Sequence, residues 1–352
     1  MKILHLAAGN RWTGAAAPAF AEVAALRQAG VEAHYAYVGG YKLQTKLADV
    51  SFAHPAIAKA QNPMSFSRTV DAIGRIVRQY GIDLIHAHLT YDHFLARTVA
   101  RRHGLRLART FHARRVIRRD PFTRLLVGAS DLICVTNEAL ADAPVIRDRT
   151  PVFTPPPLDL DQFAVAGPDV RARYGIPDGV PLIAVIGKVS KGRGFELALE
   201  TFALLQEGVP DMHFMIIGHG EHRPALEQLA SRLGVGDRIT WAGYHEDDLA
   251  DHYRAATILL FTARGSDEGH RAVLEAMACG AIPVVIPLEG IDALVDRSRI
   301  AASASATALA ETVMATLAAG RNALVARMIE RSERFSYRAA ADRLIEAYRR
   351  VL

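Results

Sequence analysis

Leu182-Ile-Ala-Val-Ile-Gly-Lys-Val-Ser-Lys-Gly-Arg-Gly-Phe-Glu-Leu-Ala-Leu-Glu-Thr-Phe-Ala-Leu-Leu-Gln206 changes period halfway along its length. Leu182–Ile186 is a short continuous apolar run, the pattern of a strand buried on both faces. From Phe195 onward the apolar residues fall at helical spacing (Phe195, Ala198 and Leu199, Phe202, Leu205) and make one core-facing stripe. A glycine-rich loop carrying Lys188, Lys191 and Arg193 separates the two. Strand, glycine loop and helix in that order form the repeating unit of a parallel α/β sheet.

The alternation extends in both directions. Upstream, residues 3–7, 31–38, 83–88, 105–111 and 132–136 read as strands, and 17–29, 67–80 and 93–103 as helices, the last three stopped at Gly30, Gly81 and Gly104. Downstream, strands are expected at 213–217, 239–242, 258–262 and 283–286, and helices at 224–233, 248–255 and 271–279. The pattern pauses at Thr154-Pro-Pro-Pro-Leu158 and resumes after Pro168; proline suits neither helix interior nor central strand, so this reads as a linker. The expectation is therefore an α/β protein of two Rossmann-like, doubly wound domains, 1–165 and 166–335. An amphipathic helix at 336–352 is expected to pack back on the N-terminal domain. Ligands of such sheets bind at the carboxyl ends of the strands.

Bulk properties agree. The chain has 352 residues, more than one core usually organises, with 50% hydrophobic and 22% charged residues. No apolar stretch approaches the roughly 18 to 20 residues of a membrane span. The first nine residues read as a buried strand rather than a signal peptide. Two cysteines, Cys134 and Cys279, give no disulfide framework or zinc-site spacing, which fits a reducing compartment. A cytoplasmic location with at most peripheral membrane contact is expected. The net charge is +5, and eight arginines with no acid lie between Arg101 and Arg119. Such a cluster suits an anionic membrane surface or a phosphorylated partner, or is simply a solvated basic face. Without an aromatic stacking platform it does not point to nucleic acid.

Three segments carry candidate chemistry. Ala8-Gly-Asn-Arg-Trp-Thr-Gly14 lies between the first strand and first helix, where Gly14 and the helix amino terminus suit a phosphate, although the spacing fits neither G-x-G-x-x-G nor a P-loop. Gly187-Lys-Val-Ser-Lys-Gly-Arg-Gly194 sets Lys188, Lys191 and Arg193 where charge growing on a departing diphosphate would be stabilised without a metal. Asp267-Glu-Gly-His-Arg-Ala-Val-Leu-Glu275 places one acid before a helix and one within it, both suited to accept hydrogen bonds from vicinal sugar hydroxyls.

These segments resemble glycosyltransferase family 4, retaining enzymes of the two-domain GT-B fold, over nearly the whole chain. The family's G-R-L-x-x-x-K-G run corresponds to Gly187–Gly194 here, with Lys188 and Arg193 standing for its two basic residues. Its E-x7-E pattern corresponds to Asp267 and Glu275, followed by an intact Glu-Ala-Met-Ala-Cys-Gly280; Gly218-His-Gly220 and residues 237–243 also fit its spacing. The resemblance implies that Lys188 and Arg193 hold the donor diphosphate, that Glu275 binds the ribose and that Asp267 contacts the sugar. It also implies that the loop at Gly269, His270 and Arg271 lies against the donor. The first acid is Asp rather than Glu, and the family's Gly-Phe-Gly is Glu268-Gly269-His270 here, which bears on donor choice. The linker's usual Asn-Gly-Val-Asp is Pro156-Pro-Leu-Asp159.

His112, at the end of the 105–111 strand, matches the family's amino-domain histidine and is expected to position the donor sugar or support the reaction. His86, His88 and His93 suggest a metal cluster at first sight. His86 and His88 are expected to point to opposite faces of their strand, which argues against shared ligation. Asp159-Leu-Asp161 reads as a turn or cap rather than a metal motif. The function implied is retaining transfer of a sugar from a nucleotide-sugar donor to a glycan or lipid-linked acceptor in cell-surface polysaccharide or lipopolysaccharide assembly, with no cofactor and no metal. The rival readings are a nucleotide-sugar epimerase or hydrolase of the same fold and an inactive sugar-nucleotide-binding scaffold.

Overall fold

The computed structural model describes residues 1–352 except 10, 11, 13, 14, 60, 61 and 264–269, and except the side chain of Lys42. The described residues fall into two compact units. Met1–Pro157 with Phe335–Leu352 form the first, and the described residues of 158–334 form the second. The division falls at the end of the proline run, after Pro157.

Unit 1 is built on a parallel sheet of β1 (Lys2–Ala7), β2 (Glu32–Val38), β3 (Ala53–Ile57), β4 (Leu84–Ala87), β5 (Arg106–Phe111), β6 (Leu132–Val135) and β7 (Val152–Phe153). The strand order is β3-β2-β1-β4-β5-β6-β7. The chain winds outward from β1 to β3, returns to pair β4 with β1, and winds outward the other way. The reversal between β1 and β4 is a topological switch point. The helices are α1 (Ala16–Gln28), α2 (Lys42–Lys46), α3 (Pro63–Tyr80), α4 (Thr90–His103) and α5 (Pro121–Gly128). α3 starts four residues before its periodic stripe because Asn62 caps it, accepting from the Ser65 N–H at 2.9 Å, and Pro63 fits its first turn. It ends on Gly81 at φ 64°. Edge strand β3 and short β7 were not expected from the sequence. β3 contains Pro55, which is tolerated at a sheet edge because no ladder N–H is needed there.

Unit 2 has a five-stranded parallel sheet of β8 (Leu182–Ile186), β9 (His213–Ile217), β10 (Ile239–Gly243), β11 (Ile258–Phe261) and β12 (Ile282–Val285), in the order β10-β9-β8-β11-β12. Its switch point lies between β8 and β11. Its helices are α6 (Phe195–Gln206), α7 (Arg223–Arg232), α8 (Leu249–Ala255), α9 (Arg271–Ala278), α10 (Ala306–Ala318) and α11 (Arg321–Glu333). Every residue of the α6 stripe is buried, in one cluster with Ile183, Val185, Phe214 and Ile216 of β8 and β9. At about 1.5–3 kcal/mol for each large apolar side chain, that cluster fixes α6, and with it the loop before α6, on the sheet.

The final helix, α12 (Tyr337–Arg349), belongs to unit 1. Ser336 caps it, accepting from the Ala339 N–H at 3.2 Å. Leu344, Ala347 and Tyr348 fall at helical spacing and pack with Ala16, Ala19 and Val23 of α1. Among the described residues no helix is long and apolar enough to cross a membrane.

Candidate active site

The carboxyl edge of unit 2 is where the basic glycine loop comes to rest. Gly194 caps α6 at φ 81°, and a Cβ there would lie 2.3 Å from the carbonyl oxygen of Thr262, just beyond β11. Only glycine lets the start of α6 approach the end of β11 so closely. Thr262 secures the contact by donating its hydroxyl to the Gly194 carbonyl at 2.9 Å. Gly218, after β9, has φ 145°, and a Cβ on it would fall 1.8 Å from the Gly187 carbonyl oxygen. The ends of β8 and β9 therefore meet backbone to backbone, and the start of α6 meets the end of β11 in the same way.

Val189 anchors the loop. It is buried, its N–H donates to the His219 carbonyl at 3.0 Å, and its own carbonyl accepts from the His222 N–H at 3.2 Å. Its neighbours Lys188 and Lys191 are exposed, while Arg193 is half-buried. Lys188 Nζ lies 3.9 Å from Glu221 on an open surface, an ion pair worth little. Lys191 and Arg193 have no hydrogen-bond or ion-pair partner among the described residues. Three cations thus stand beside the amino end of α6, whose first-turn N–H groups add partial positive charge. The arrangement attracts an anion with several oxygens.

α9 follows β11, the other strand of the switch point, on the same sheet edge. His270 caps α9 at φ 49°, one of two non-glycine residues with positive φ among those described. The left-handed conformation thus persists where the resembled family has the last glycine of Gly-Phe-Gly, held here by burial and a 3.2 Å hydrogen bond from Nε2 to the Glu289 carbonyl. With that proton on Nε2, Nδ1 presents a lone pair, and it is buried without a partner among the described residues. Glu275 is also buried, at 4% exposure. Tyr253 donates to its Oε2 at 3.1 Å and Arg271 Nε reaches its Oε1 at 2.6 Å. Asp267 and Gly269 lie outside the described residues, as does Gly14 of the first loop.

In unit 1, His112 follows β5, its Nε2 3.1 Å from His88 Nδ1. Burial, with Arg109 nearby, holds the His112 pKa down to about 3, so its ring is neutral at ordinary pH. The expectation that His86 and His88 face opposite ways is wrong. Strand side chains repeat every two residues, so positions two apart share a face. The two rings stack with centroids 4.7 Å apart. His86 sits opposite His5 of β1 and bonds Tyr348 Oη at 2.6 Å and Thr110 Oγ1 at 2.7 Å. His93 stands apart, bonded to Ser130 at 2.8 Å. Sequence reasoning missed His5, Glu22 and Tyr348. The available signal was Glu22, a lone acid on the alanine-rich face of α1.

The run from Arg101 to Arg119 is not one surface. β5 runs about 17 Å at roughly 3.3 Å per residue, which places Arg101, Arg102 and Arg106 at the amino edge of the sheet and Arg114–Arg119 beyond its carboxyl edge. Arg102 pairs with Asp71 at 2.8 Å, Arg106 with Asp131 at 3.0 Å and Arg114 with Asp142 at 2.8 Å. Arg109 is buried at 1% exposure, 3.9 Å from Asp92. Arg115, Arg118 and Arg119 remain exposed near the carboxyl edge. Asp159 forms a turn, its Oδ1 accepting from the N–H groups of Asp161 at 3.0 Å and Gln162 at 3.2 Å.

Comparison with known proteins agrees with this geometry. Residues 13–145 match the family described as Glycosyltransferase Family 4, and residues 180–319 that described as Glycosyl transferases group 1. The two matches together span well over half of the chain, which belongs to this glycosyltransferase family. It is 25% identical over 299 residues to a D-inositol 3-phosphate glycosyltransferase of Segniliparus rotundus, covering 76% of this chain and 66% of that protein. It is 33% identical over 147 residues to a GDP-mannose-dependent alpha-(1-6)-phosphatidylinositol monomannoside mannosyltransferase of Mycolicibacterium smegmatis, covering 39% of this chain and 38% of that one. The matched part thus spans less than two thirds of these relatives' lengths. Among solved structures, HepE of Anabaena in complex with UDP superposes with a TM-score of 0.80 at 16% identity, covering 99% of this chain and 100% of that one. A glycosyltransferase from Rickettsia africae gives 0.82 at 15% identity, covering 99% and 98%. These likenesses show the GT-B fold.

Proposed function

We propose that this chain is a retaining glycosyltransferase that takes a sugar from a nucleotide-diphosphate donor. The observation that carries the reading is the loop Gly187–Gly194, which sets three cations with no strong internal partner at the switch point of unit 2, beside the amino end of α6. Lys188 and Arg193 take the diphosphate, Glu275 accepts from the ribose, and the family resemblance assigns Asp267, His270 and Arg271 to the sugar. The family resemblance assigns His112 a supporting role in the reaction, and Gly14 is a candidate phosphate contact from its place in the sequence.

In the proposed step the bond from the sugar's anomeric carbon to the diphosphate oxygen breaks. The acceptor oxygen bonds the same carbon from the same face. The acceptor's proton passes to a donor phosphate oxygen. Fixed cations stabilise the charge that grows on the leaving diphosphate, so the step needs neither metal nor cofactor. For the acceptor we propose a phosphorylated or lipid-linked glycan precursor, met at the inner face of the membrane during cell-surface polysaccharide or lipopolysaccharide assembly. Arg115, Arg118 and Arg119 support this, as do relatives whose names specify inositol phosphate or phosphatidylinositol acceptors.

Transfer assays with purified variants test the reading. Arg193→Ala should lower the transfer rate about 10²–10³-fold while leaving the melting temperature unchanged. A wild-type rate in that variant would overturn the assignment of the loop. Free or isomerised sugar produced without acceptor would replace transfer by hydrolysis or epimerisation.

A further inference from the structure

We propose that His5, Glu22 and His88 form a buried binding site for a divalent transition-metal ion of the zinc class, with His86 beside it. His5 lies on β1, His88 follows β4 and Glu22 lies on α1, so the three meet where β1 and β4 adjoin under the helix. His5 Nδ1 and His88 Nε2 are 2.9 Å apart, and Glu22 Oε2 is 3.6 Å from the first and 3.7 Å from the second. Ligand bonds of 2.0–2.2 Å in a tetrahedral site impose donor separations of roughly 3.4 Å, and these three edges bracket that value. The donor atoms of His5, Glu22, His86 and His88 all lie within 4.8 Å of one another.

Three further observations point the same way. Among the described residues neither oxygen of Glu22 has a hydrogen-bond partner, although the residue is only 1% exposed. A buried carboxylate so placed is costly, and a cation at the centre of the triangle removes the cost. The nitrogens of His5 and His88 that face away from the triangle are held by outer partners, as ligating histidines require. His5 Nε2 is 3.1 Å from Tyr348 Oη, and His88 Nδ1 is 3.1 Å from His112 Nε2. Two imidazoles and a carboxylate are, finally, a donor set that zinc and its neighbours prefer. His86 already bonds through both ring nitrogens and would join as a fourth ligand only by releasing Tyr348 or Thr110. The cluster His245, Asp248 and His252 lacks these features. Asp248 already pairs with Arg173 and His245 at 2.7 Å each, and both nitrogens of His252 have partners.

Because the site is buried, an ion enters during folding and acts on stability. The proposal is independent of the transfer reaction. The test is to refold the full chain with Zn²⁺ or Co²⁺, desalt it, and measure bound metal and the visible spectrum of the Co²⁺ form. The expected result is one retained equivalent per chain, visible cobalt bands, and a lower melting temperature when refolding is done with a chelator. Glu22→Gln should abolish retention. Tyr348→Phe, which removes the outer partner of His5 together with the hydroxyl bonded to His86, should weaken affinity about 10–100-fold. His93→Gln, outside the cluster, should leave metal retention and the cobalt spectrum unchanged. The proposal is overturned if wild-type protein refolded in either ion retains no metal, or if Glu22→Gln and Tyr348→Phe bind as wild type does. Should Glu22→Gln fail to fold, the wild-type cobalt spectrum and Tyr348→Phe decide the question.

Discussion

The two sheets reverse their winding at equivalent places, between β1 and β4 in unit 1 and between β8 and β11 in unit 2, yet the two points are made of opposite materials. In unit 1 the carboxyl half of the central strands is filled. His5, His86 and His88 are buried against Glu22 of α1 and Tyr348 of α12, and Arg109 and Asp92 are buried nearby. In unit 2 the same position holds a glycine loop with Lys188 and Lys191 exposed and Arg193 half-buried. One topology thus supports a closed polar core and an open anion cradle. The difference lies in which side chains follow the strands, and each half of the contrast can be broken separately.

The largest effect is expected in the closed half. Asp92 accepts from the N–H groups of Ala8 at 3.1 Å and Leu89 at 2.6 Å and is the acid beside buried Arg109. Asp92→Ala leaves that guanidinium uncompensated and should cost about 3–5 kcal/mol in urea melts. An unchanged midpoint would mean that Arg109 reaches solvent or another anion. In the open half the sensitive element is backbone. Gly218→Ala puts a methyl against the Gly187 carbonyl at φ 145° and should cost about 3 kcal/mol, with distortion of the cation loop. If the variant melts like wild type, the strand ends are not packed as described.

The smallest effect concerns the part-exposed Asp248 of the second histidine cluster. A hydrogen bond from Arg173, and after it one from His245, hold the Asp248 carboxyl down at about 2. Its folded value is below its ordinary one, so its contribution is fully present above about pH 4 and is lost as pH falls through about 2. Asp248→Asn should remove that segment of the acid titration, at a cost below about 1 kcal/mol because the pair is part-exposed. A larger loss would place Asp248 in a structural role.

Much of unit 2 was legible in the sequence because its signals are local. The change of period at Gly187–Gly194 marks strand, loop and helix, and β8 and α6 fall at the expected residues. Unit 1 was read less well because its chemistry is non-local. His5, Glu22, His86 and Tyr348 are far apart in sequence, and only the register of β1 against β4 and the return of α12 bring them together. The error over His86 and His88 was one of period, since residues two apart on a strand share a face. The arginine run misled for the converse reason. Closeness in sequence was taken as closeness in space, although β5 carries the chain from one edge of the sheet to the other.

The most direct test is calorimetric titration of the full chain with nucleoside diphosphates of each base, repeated for Lys188→Ala and Arg193→Ala. Each lost charge-assisted contact is worth about 1.5–3 kcal/mol, so at least one diphosphate should bind wild type and lose about 10–100-fold in affinity in each variant. Equal affinity in wild type and both variants, or no binding of any nucleoside diphosphate by wild type, would contradict the claim that this loop grips the donor.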